Sequence, residues 1–470
     1  MDDLGTPRNC HRSGRRLQRL IGRPAEASAP QGREATSARS DWIPPRDSLR
    51  GLLGVLFCLA ACSPARPMES GGAAVPRAWV EITDRGPEAR AVVSGPCPEA
   101  VIDGTSAPMQ RRAAPSADFP VAVCALPIPP HARRVAVLGG ALPLPRRPPG
   151  RIVIFGDTGC RLKGSDIQNC DVAGDWPFAT VARLAAAHHP DLVIHIGDYY
   201  YRESACPAGR AGCAGSPWGD NWTTWDADLF APAAPLLAAA PWLMVRGNHE
   251  DCARGGPGWF RLLDAGPTPL ACPAAAAPMA IDVGGLTLYV LDSSGTEDRS
   301  TPPDKVAAFA RQLAVVRAHP PAGPAWILTH RPFWGLTPVA RAGPLGPLEL
   351  SLNLTEEAAA RPADLSKIDM IVSGHIHHFA SFSFSGDRPP QLIVGTGGDV
   401  GEPADSPKFI SGPVSLDGMA ARRFGFDRYG FLVLDRTADG WAGDFYDVND
   451  RPIARCRLAG RALDCAALTR

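Results

Sequence analysis

The sequence predicts a layered α/β domain over residues 150–450, with a small β-rich domain ahead of it at 78–148. Three observations carry this prediction. From residue 151 onward, short apolar runs alternate with stretches whose apolar residues recur at helical spacing, as in layered α/β domains. Five of those runs, at 152–155, 192–196, 242–245, 326–329 and 370–373, run within two positions into glycine or histidine, with carboxylates, asparagine or histidines following. Ligands of open α/β sheets bind at the carboxyl ends of strands, so five such ends point to one site. Upstream, 79–82, 121–124 and 134–138 alternate between Gly/Pro breaks, the mark of short strands.

Residues 1–47 carry many Arg, Ser and Pro without periodicity, and read as disordered or as an upstream extension. Within 48–62 the run RGLLGVLFCLAAC has a basic flank, an apolar stretch and small residues before Cys62. It is too short to span a bilayer as a helix and has the proportions of a secretory signal. Its end, LAAC, resembles the bacterial lipobox, which implies cleavage before Cys62 and lipidation of that thiol. Ser63 then implies outer-membrane sorting, so the expected place is the periplasmic side of a bacterial cell envelope, anchored by lipid. That this signal begins some 50 residues into the chain is its one odd feature.

A Pro/Ala/Gly linker at 63–77 leads into the β-rich domain, and a Pro-rich break at 145–150 closes it. In the main domain, 178–189, 229–237 and 306–318 have helical spacing. Past residue 369 helices thin out, and 379–384, 391–394, 429–434 and 443–448 read as strands of a second sheet. Residues 451–470 form a C-terminal tail.

With 470 residues the chain has room for one large domain and a smaller one. Its 48 basic and 48 acidic residues cancel, leaving no electrostatic footprint for nucleic acid. Of 13 cysteines, ten fall in local couples: Cys97/Cys124, Cys160/Cys170, Cys206/Cys213, Cys252/Cys272 and Cys456/Cys465. None forms a CxxC unit, which argues against structural zinc. An even count in close couples reads as disulfides made in an oxidising compartment. Nearest-neighbour pairing is the simplest arrangement, although spacing alone leaves connectivity open.

The candidate ligands at the strand ends are Asp157, Asp198, Tyr201, Asn248, His330, His375 and His377. A pair of metal ions needs roughly four to six ligands each, with a carboxylate between them. Asp198 lies centrally in the set and suits the bridge. His375 and His377 alternate along one extended segment, so one imidazole can serve each ion. Tyr201 bears on metal identity. A phenol, with an ordinary pKa near 10, is held as phenolate by a hard trivalent cation, which favours Fe(III). The Asp/Asn/His/His set favours a divalent ion such as Fe, Zn or Mn.

Five blocks, GDTG at 156–159, GDYYY at 197–201, GNHE at 247–250, ILTH at 327–330 and GHIH at 374–377, resemble the purple acid phosphatase branch of the calcineurin-like metallophosphoesterases. Order and spacing agree, with Ile327 for Val and with Gly159 where a metal-binding histidine is usual. The resemblance implies a four-layer α/β/β/α sandwich. It also implies that Asp157, Asp198, Tyr201 and His377 hold the trivalent ion, and that Asp198, Asn248, His330 and His375 hold the divalent one. A metal-activated hydroxide would attack phosphorus, with His249 protonating the leaving alkoxide or steadying the phosphoryl group. Further histidines of many relatives are replaced here by Val339 and Ala340. Arg331, Trp334 and Arg341 are nearby substitutes for contacting a phosphate or an organic group.

The implied activity is hydrolysis of a small phosphate monoester. A phosphodiesterase or nucleotide hydrolase on the same scaffold is the alternative, and an inactive binding lipoprotein would require a broken ligand set. Other aromatic and histidine residues have plainer readings. His195 sits inside a strand and reads as packed, while His188 and His189 close a helix. His378 is ambiguous. Tyr199 and Tyr200 fit cleft lining or packing equally, and Trp218, Trp222 and Trp225 are expected to pack the loop after Tyr201.

Overall fold

Why the five apolar runs lack a polar face is clear from the architecture: they are central strands covered on both sides. A computed structural model describes residues 77–339, 348–399 and 409–468. Segment 48–62 with Cys62, together with Ala340 and Arg341, lies outside the described residues. Among the described residues no helix is long and apolar enough to cross a membrane.

Two large sheets pack face to face. At the centre of the first, Arg151–Phe155, Leu192–His195 and Trp242–Met244 run parallel. At the centre of the second, Thr287–Val290, Ala325–Leu328, Met370–Ser373 and Gln391–Val394 run parallel. Alternation along each strand splits its side chains between two layers. Ile152, Ile154, Leu192 and Ile194 meet Leu288, Trp326, Met370 and Val372 in the core between the sheets. Val153, Phe155 and Val193 instead face the helices Phe178–Ala187 and Ala231–Ala239. On the far side, Tyr289, Ile327 and Ile371 face the helix Pro303–Ala318 and the short helix Leu354–Ala360. The result is the four-layer α/β/β/α sandwich.

One strand assignment is corrected. Phe379–Phe384 and Gln391–Val394 do lie in the second sheet, but Gly430–Thr437 and Gly440–Asp447 return to the first. Leu432, Val433 and Leu434 pair antiparallel with Ile154, Val153 and Ile152, covering what would otherwise be an exposed edge. The tail follows them, as Pro452–Ala459 and Ala462–Ala467 extend the sheet and cross-strand partners Cys456 and Cys465 are joined. Helix 229–237 also differs from expectation. It is the end of a longer run in which Trp222–Trp225 passes through a wide π turn, Asp226–Phe230, into Ala231–Ala239.

At the opposite edge of the first sheet, the β-rich region supplies Arg77–Thr83, Gly86–Val93, Ala122–Pro127 and Gln110–Ala113. A four-stranded sheet of its own holds the rest, and Cys97–Cys124 is a disulfide in this region. A buried arginine ties it to the main domain. Arg90, fully buried, pairs with Glu81 at 2.7 Å and Glu88 at 2.8 Å. Its remaining donors reach the carbonyls of Leu262 (3.0 Å) and Asp264 (2.8 Å), at the end of the helix Gly256–Leu262. A cation there satisfies carbonyls that the helix leaves unpaired.

Candidate metal centre

All seven predicted ligands come from loops at the carboxyl ends of the central strands, and the fold brings them together. Asp157 follows Arg151–Phe155, and Asp198 and Tyr201 follow Leu192–His195. Asn248 follows Trp242–Met244, His330 follows Ala325–Leu328, and His375 and His377 follow Met370–Ser373. The loops turn sharply. Asp157, Asp198 and His375 have φ of 59°, 58° and 69°, a left-handed conformation that side-chain-bearing residues rarely adopt. Three such residues in one cluster are the kind of strain that collects at functional sites.

Asp198 is the hub. Its Oδ2 accepts the Tyr201 hydroxyl at 2.8 Å and lies 3.0 Å from His330 Nε2, while its Oδ1 accepts the His249 amide at 2.9 Å. Around the phenol, Tyr201 Oη is 3.1 Å from Asp157 Oδ1 and 3.1 Å from His377 Nε2. Around His330, Nε2 is 3.1 Å from Asn248 Oδ1, and Nδ1 donates to the Ile196 carbonyl at 2.8 Å. His375 sits beside His330, with ring centroids 5.2 Å apart, and Asp198, His330 and His375 can each offer a ligand atom within 4.8 Å of the others. Thus two clusters share one carboxylate.

Electrostatics show that this donor set fits a pair of cations. Asp157 and Asp198 are essentially fully buried, and isolated buried carboxylates are costly. Burial, then the carboxylates of Asp198, Asp157 and Asp399, push the Tyr201 phenol well above its ordinary pKa. Only a strongly charged cation reverses that and holds the phenolate. Burial works against the charged form of His330, yet Asp198 beside it raises its pKa to about 9.

The close packing explains the glycines. A Cβ on Gly197 would lie 2.6 Å from His330 Nδ1, and one on Gly159 would lie 2.7 Å from the Tyr199 carbonyl oxygen. No side chain fits at 159, which leaves the phenol of Tyr201 to fill that quarter of the site.

Residues 150–379 match the family described as calcineurin-like phosphoesterase. That stretch carries a calcineurin-like phosphoesterase domain. This metallophosphoesterase is a hydrolase, and metallophosphoesterases of this kind use a dinuclear metal centre. Among solved structures it is similar to PhoD, at 12% identity over 84% of this chain and 92% of that one, with a TM-score of 0.50. It is also similar to a purple acid phosphatase from yellow lupin (Lupinus luteus) seeds, at 16% identity over 83% and 73% of the two chains, with a TM-score of 0.44. No curated protein matches the chain.

Several residues around the metallophosphoesterase centre take places the sequence left open. His249 lies with Nδ1 2.5 Å from Glu203 and Nε2 4.0 Å from Asp198 Oδ2, its ring 3.9 Å from that of Tyr201. His195 is packed: it stacks on Tyr199 at 3.9 Å and reaches Thr158 Oγ1 at 2.9 Å. Tyr199 and Tyr200 are buried, and Tyr200 stacks on Trp225. Trp222 and Trp225 pack into the core, but Trp218 is 53% exposed and does not. Arg331, expected as a substrate contact, already has partners within the chain. It is buried, with Nε and Nη1 committed to Asp298 and to the carbonyls of Ser293 and Ser294. Trp334 is buried against Phe333 and Phe384.

Two carboxylates with no assigned place organise the loops. Glu250 accepts the amides of Asp198 (3.1 Å), Tyr199 (2.8 Å), Tyr200 (3.1 Å) and Gly247 (2.9 Å), binding two blocks together. Asp228, on the π turn, accepts the amides of Cys160 (3.1 Å) and Tyr201 (3.0 Å) and pairs with Arg202. A π turn at a functional site is a recurrent device.

The five cysteine couples are joined as nearest neighbours: Cys97–Cys124, Cys160–Cys170, Cys206–Cys213, Cys252–Cys272 and Cys456–Cys465. Cys272 is paired as expected and makes further contacts. Its bond to Cys252 closes the loop after the GNHE block, with the two Cα atoms 5.7 Å apart. The half-buried Cys272 also packs against the core that holds Trp259 and Phe260. Arg246 Nη2 lies 3.7 Å from the sulfurs of both Cys252 and Cys272. A Cβ on Gly256 would come within 2.7 Å of Cys272 Sγ, so the helix Gly256–Leu262 can start there only with a glycine. Couple spacing could not show this packing, because its partners belong to other loops.

Proposed function

We propose that this metallophosphoesterase hydrolyses small phosphate monoesters with one trivalent iron and one divalent ion. The observation that carries the reading is the position of the Tyr201 hydroxyl, 3.1 Å from His377 Nε2 and 2.8 Å from Asp198 Oδ2. Asp157, Asp198, Tyr201 and His377 would hold Fe(III); Asp198, Asn248, His330 and His375 would hold Fe(II), Zn(II) or Mn(II). When bound, such a pair supplies Lewis acidity that draws charge from a phosphoryl oxygen.

The remaining chemistry belongs to the chain. His249 presents Nε2 toward the cluster and is placed to give a proton to the leaving alkoxide oxygen. Burial pulls the His249 pKa below its ordinary value, while Asp198 and the Glu203 carboxylate at Nδ1, which also orients the imidazole, work against that shift. The Tyr201 ring packed on His249 keeps water from one face of it. An oxygen of water bonds to phosphorus as the phosphorus–oxygen bond to the alkoxide breaks, and the protonated alcohol and inorganic phosphate leave.

The test compares p-nitrophenyl phosphate with bis(p-nitrophenyl) phosphate on the purified protein. Faster turnover of the monoester is expected; turnover of the diester alone would contradict the reading. The five disulfides support an oxidising compartment, and anchoring through a lipid on Cys62 at the outer membrane is part of the same proposal. Mass spectrometry of the mature amino terminus checks it, with a diacylglyceryl-cysteine expected and an unmodified terminus contradicting it.

A further inference from the structure

Behind each histidine of the GHIH block stands an aspartate held by an arginine. His375 Nε2 hydrogen-bonds Asp298 Oδ1 at 3.1 Å, and the same oxygen accepts Arg331 Nε at 2.6 Å. Arg331 is pinned in turn by Nη1, which donates to the carbonyls of Ser293 at 2.8 Å and Ser294 at 3.1 Å. On the other side, His377 Nδ1 lies 3.4 Å from Asp399 Oδ2. Asp399 accepts Arg161 through Nε, at 3.0 and 3.1 Å to its two oxygens, and through Nη2. The Arg161 guanidinium also lies over the Tyr201 ring, 4.8 Å from its centroid. The Asp399 amide donates to the Asp157 carbonyl at 2.8 Å, fixing this couple to the ligand loop. His330 has no such carboxylate on its outer nitrogen, which bonds to the Ile196 carbonyl.

An imidazole that binds a cation through one nitrogen carries a proton on the other. An acceptor at that proton sets the tautomer and the ring plane and makes the ligand more basic. A carboxylate adds charge that a carbonyl lacks. An arginine on the far side grips the carboxylate through a charge-assisted bond. It also holds the carboxylate outward, where it supports the histidine instead of replacing it. With Nε2 of His375 committed to Asp298, Nδ1 is the nitrogen left to face Asp198 and His330. With Nδ1 of His377 beside Asp399, Nε2 faces Tyr201 and Asp157, and it lies 3.4 Å from Asp157 Oδ1.

We propose that Asp298 and Asp399 are positioning residues that govern the two cation positions separately, Asp298 through His375 and Asp399 through His377. Arg331 and Arg161 hold the two carboxylates in place. The inference rests on the dinuclear reading above. The couples share no residue, so their effects are separable.

The experiment is equilibrium dialysis of the metal-free full-length protein against Zn(II), with bound metal counted by elemental analysis. Wild type is expected to take two equivalents. Asp298→Asn weakens one of them about 10–100-fold and leaves the other tight, and so does Asp399→Asn. The double variant retains no tight equivalent, because the two changes act at different positions. Asp399→Asn leaves the half-buried Arg161 without its charge partner, so Arg161→Met with Asp399→Leu is the second variant, removing both members of the pair. Its melting temperature without metal checks folding, and it too is expected to lose one tight equivalent. Two equivalents in wild type with unchanged affinity in the variants would overturn the inference alone. A double variant that keeps one tight equivalent would also overturn it, by placing both aspartates at one position. Fewer than two equivalents in wild type would overturn the dinuclear reading together with this inference.

Discussion

The two sides of the metal centre are built differently. On the Tyr201 side, Asp157 and Tyr201 are fully buried, and disulfides Cys160–Cys170 and Cys206–Cys213 clamp the loops that flank them. Asp228 holds the Tyr201 amide from the π turn, and Arg161 closes over the ring. On the His375 side, the supporting Asp298 side chain is 35% exposed and is held by hydrogen bonds and an ion pair. On the reading proposed above, the first side is the one that would hold Fe(III), and its buried phenol and fixed loops fit that role. On the same reading, the second would hold the divalent ion. Asp198 belongs to both, and so any account of one side is tested at that residue.

The largest expected effect therefore comes from Asp198→Ala. Removing the shared carboxylate should abolish binding of both ions and bring phosphomonoesterase turnover to background. Loss of one ion alone, measured by elemental analysis, would show that the two sides are independent. His249→Ala should cut turnover by about a hundredfold or more, the usual contribution of a positioned acid, while metal content stays at the wild-type level. Turnover within a few-fold of wild type would remove His249 from the chemistry.

The clamp on the Tyr201 side should show in stability. Replacing Cys160 and Cys170 by serine opens a short loop, and chain-entropy reasoning puts the loss at about 2–3 kcal/mol. Denaturant melts of the metal-free variant check this. Unchanged stability would mean that the loop is held by packing and by Asp228 instead.

Smallest is a pH effect on the same side. Asp220 accepts Trp225 Nε1 at 2.7 Å and the Gly258 amide at 3.0 Å, joining the loop after Tyr201 to the helix Gly256–Leu262. Burial raises its pKa from 3.8 to about 6. Across that window the folded state binds more protons than the unfolded state, so this group's contribution falls as pH rises. Asp220→Asn, neutral throughout, should flatten that part of the stability profile. An identical slope in both proteins would contradict the assignment.

Much of this site was legible because metal ligation needs particular side chains at strand ends, and both signals are local. Gly197-Asp198 and Gly374-His375 announce themselves within a few residues of an apolar run. Asp298 and Asp399 were missed for a physical reason: they act on histidines 77 and 22 positions away, through contacts that no local pattern encodes. A signal did exist. Thr287–Val290 and Gln391–Val394 also end in small and polar residues, LDSSG at 291–295 and GTGGD at 395–399, as the five ligand-bearing strands do. The return of Gly430–Thr437 to the first sheet was not readable, because an apolar strand carries no mark of which open edge it will cover. Nor was the joining of Arg77–Thr83 to Trp242–Met244, a contact made at one register pair, Glu81 with Trp242.

The central claim is that seven side chains surround two ions joined through Asp198, one of them held by the Tyr201 phenolate. Elemental analysis combined with a visible spectrum, on wild type and Tyr201→Phe, tests it most directly. Two metal equivalents including iron, with a charge-transfer band that vanishes in Tyr201→Phe, is the predicted result. A single equivalent, or a band that survives the substitution, would contradict it.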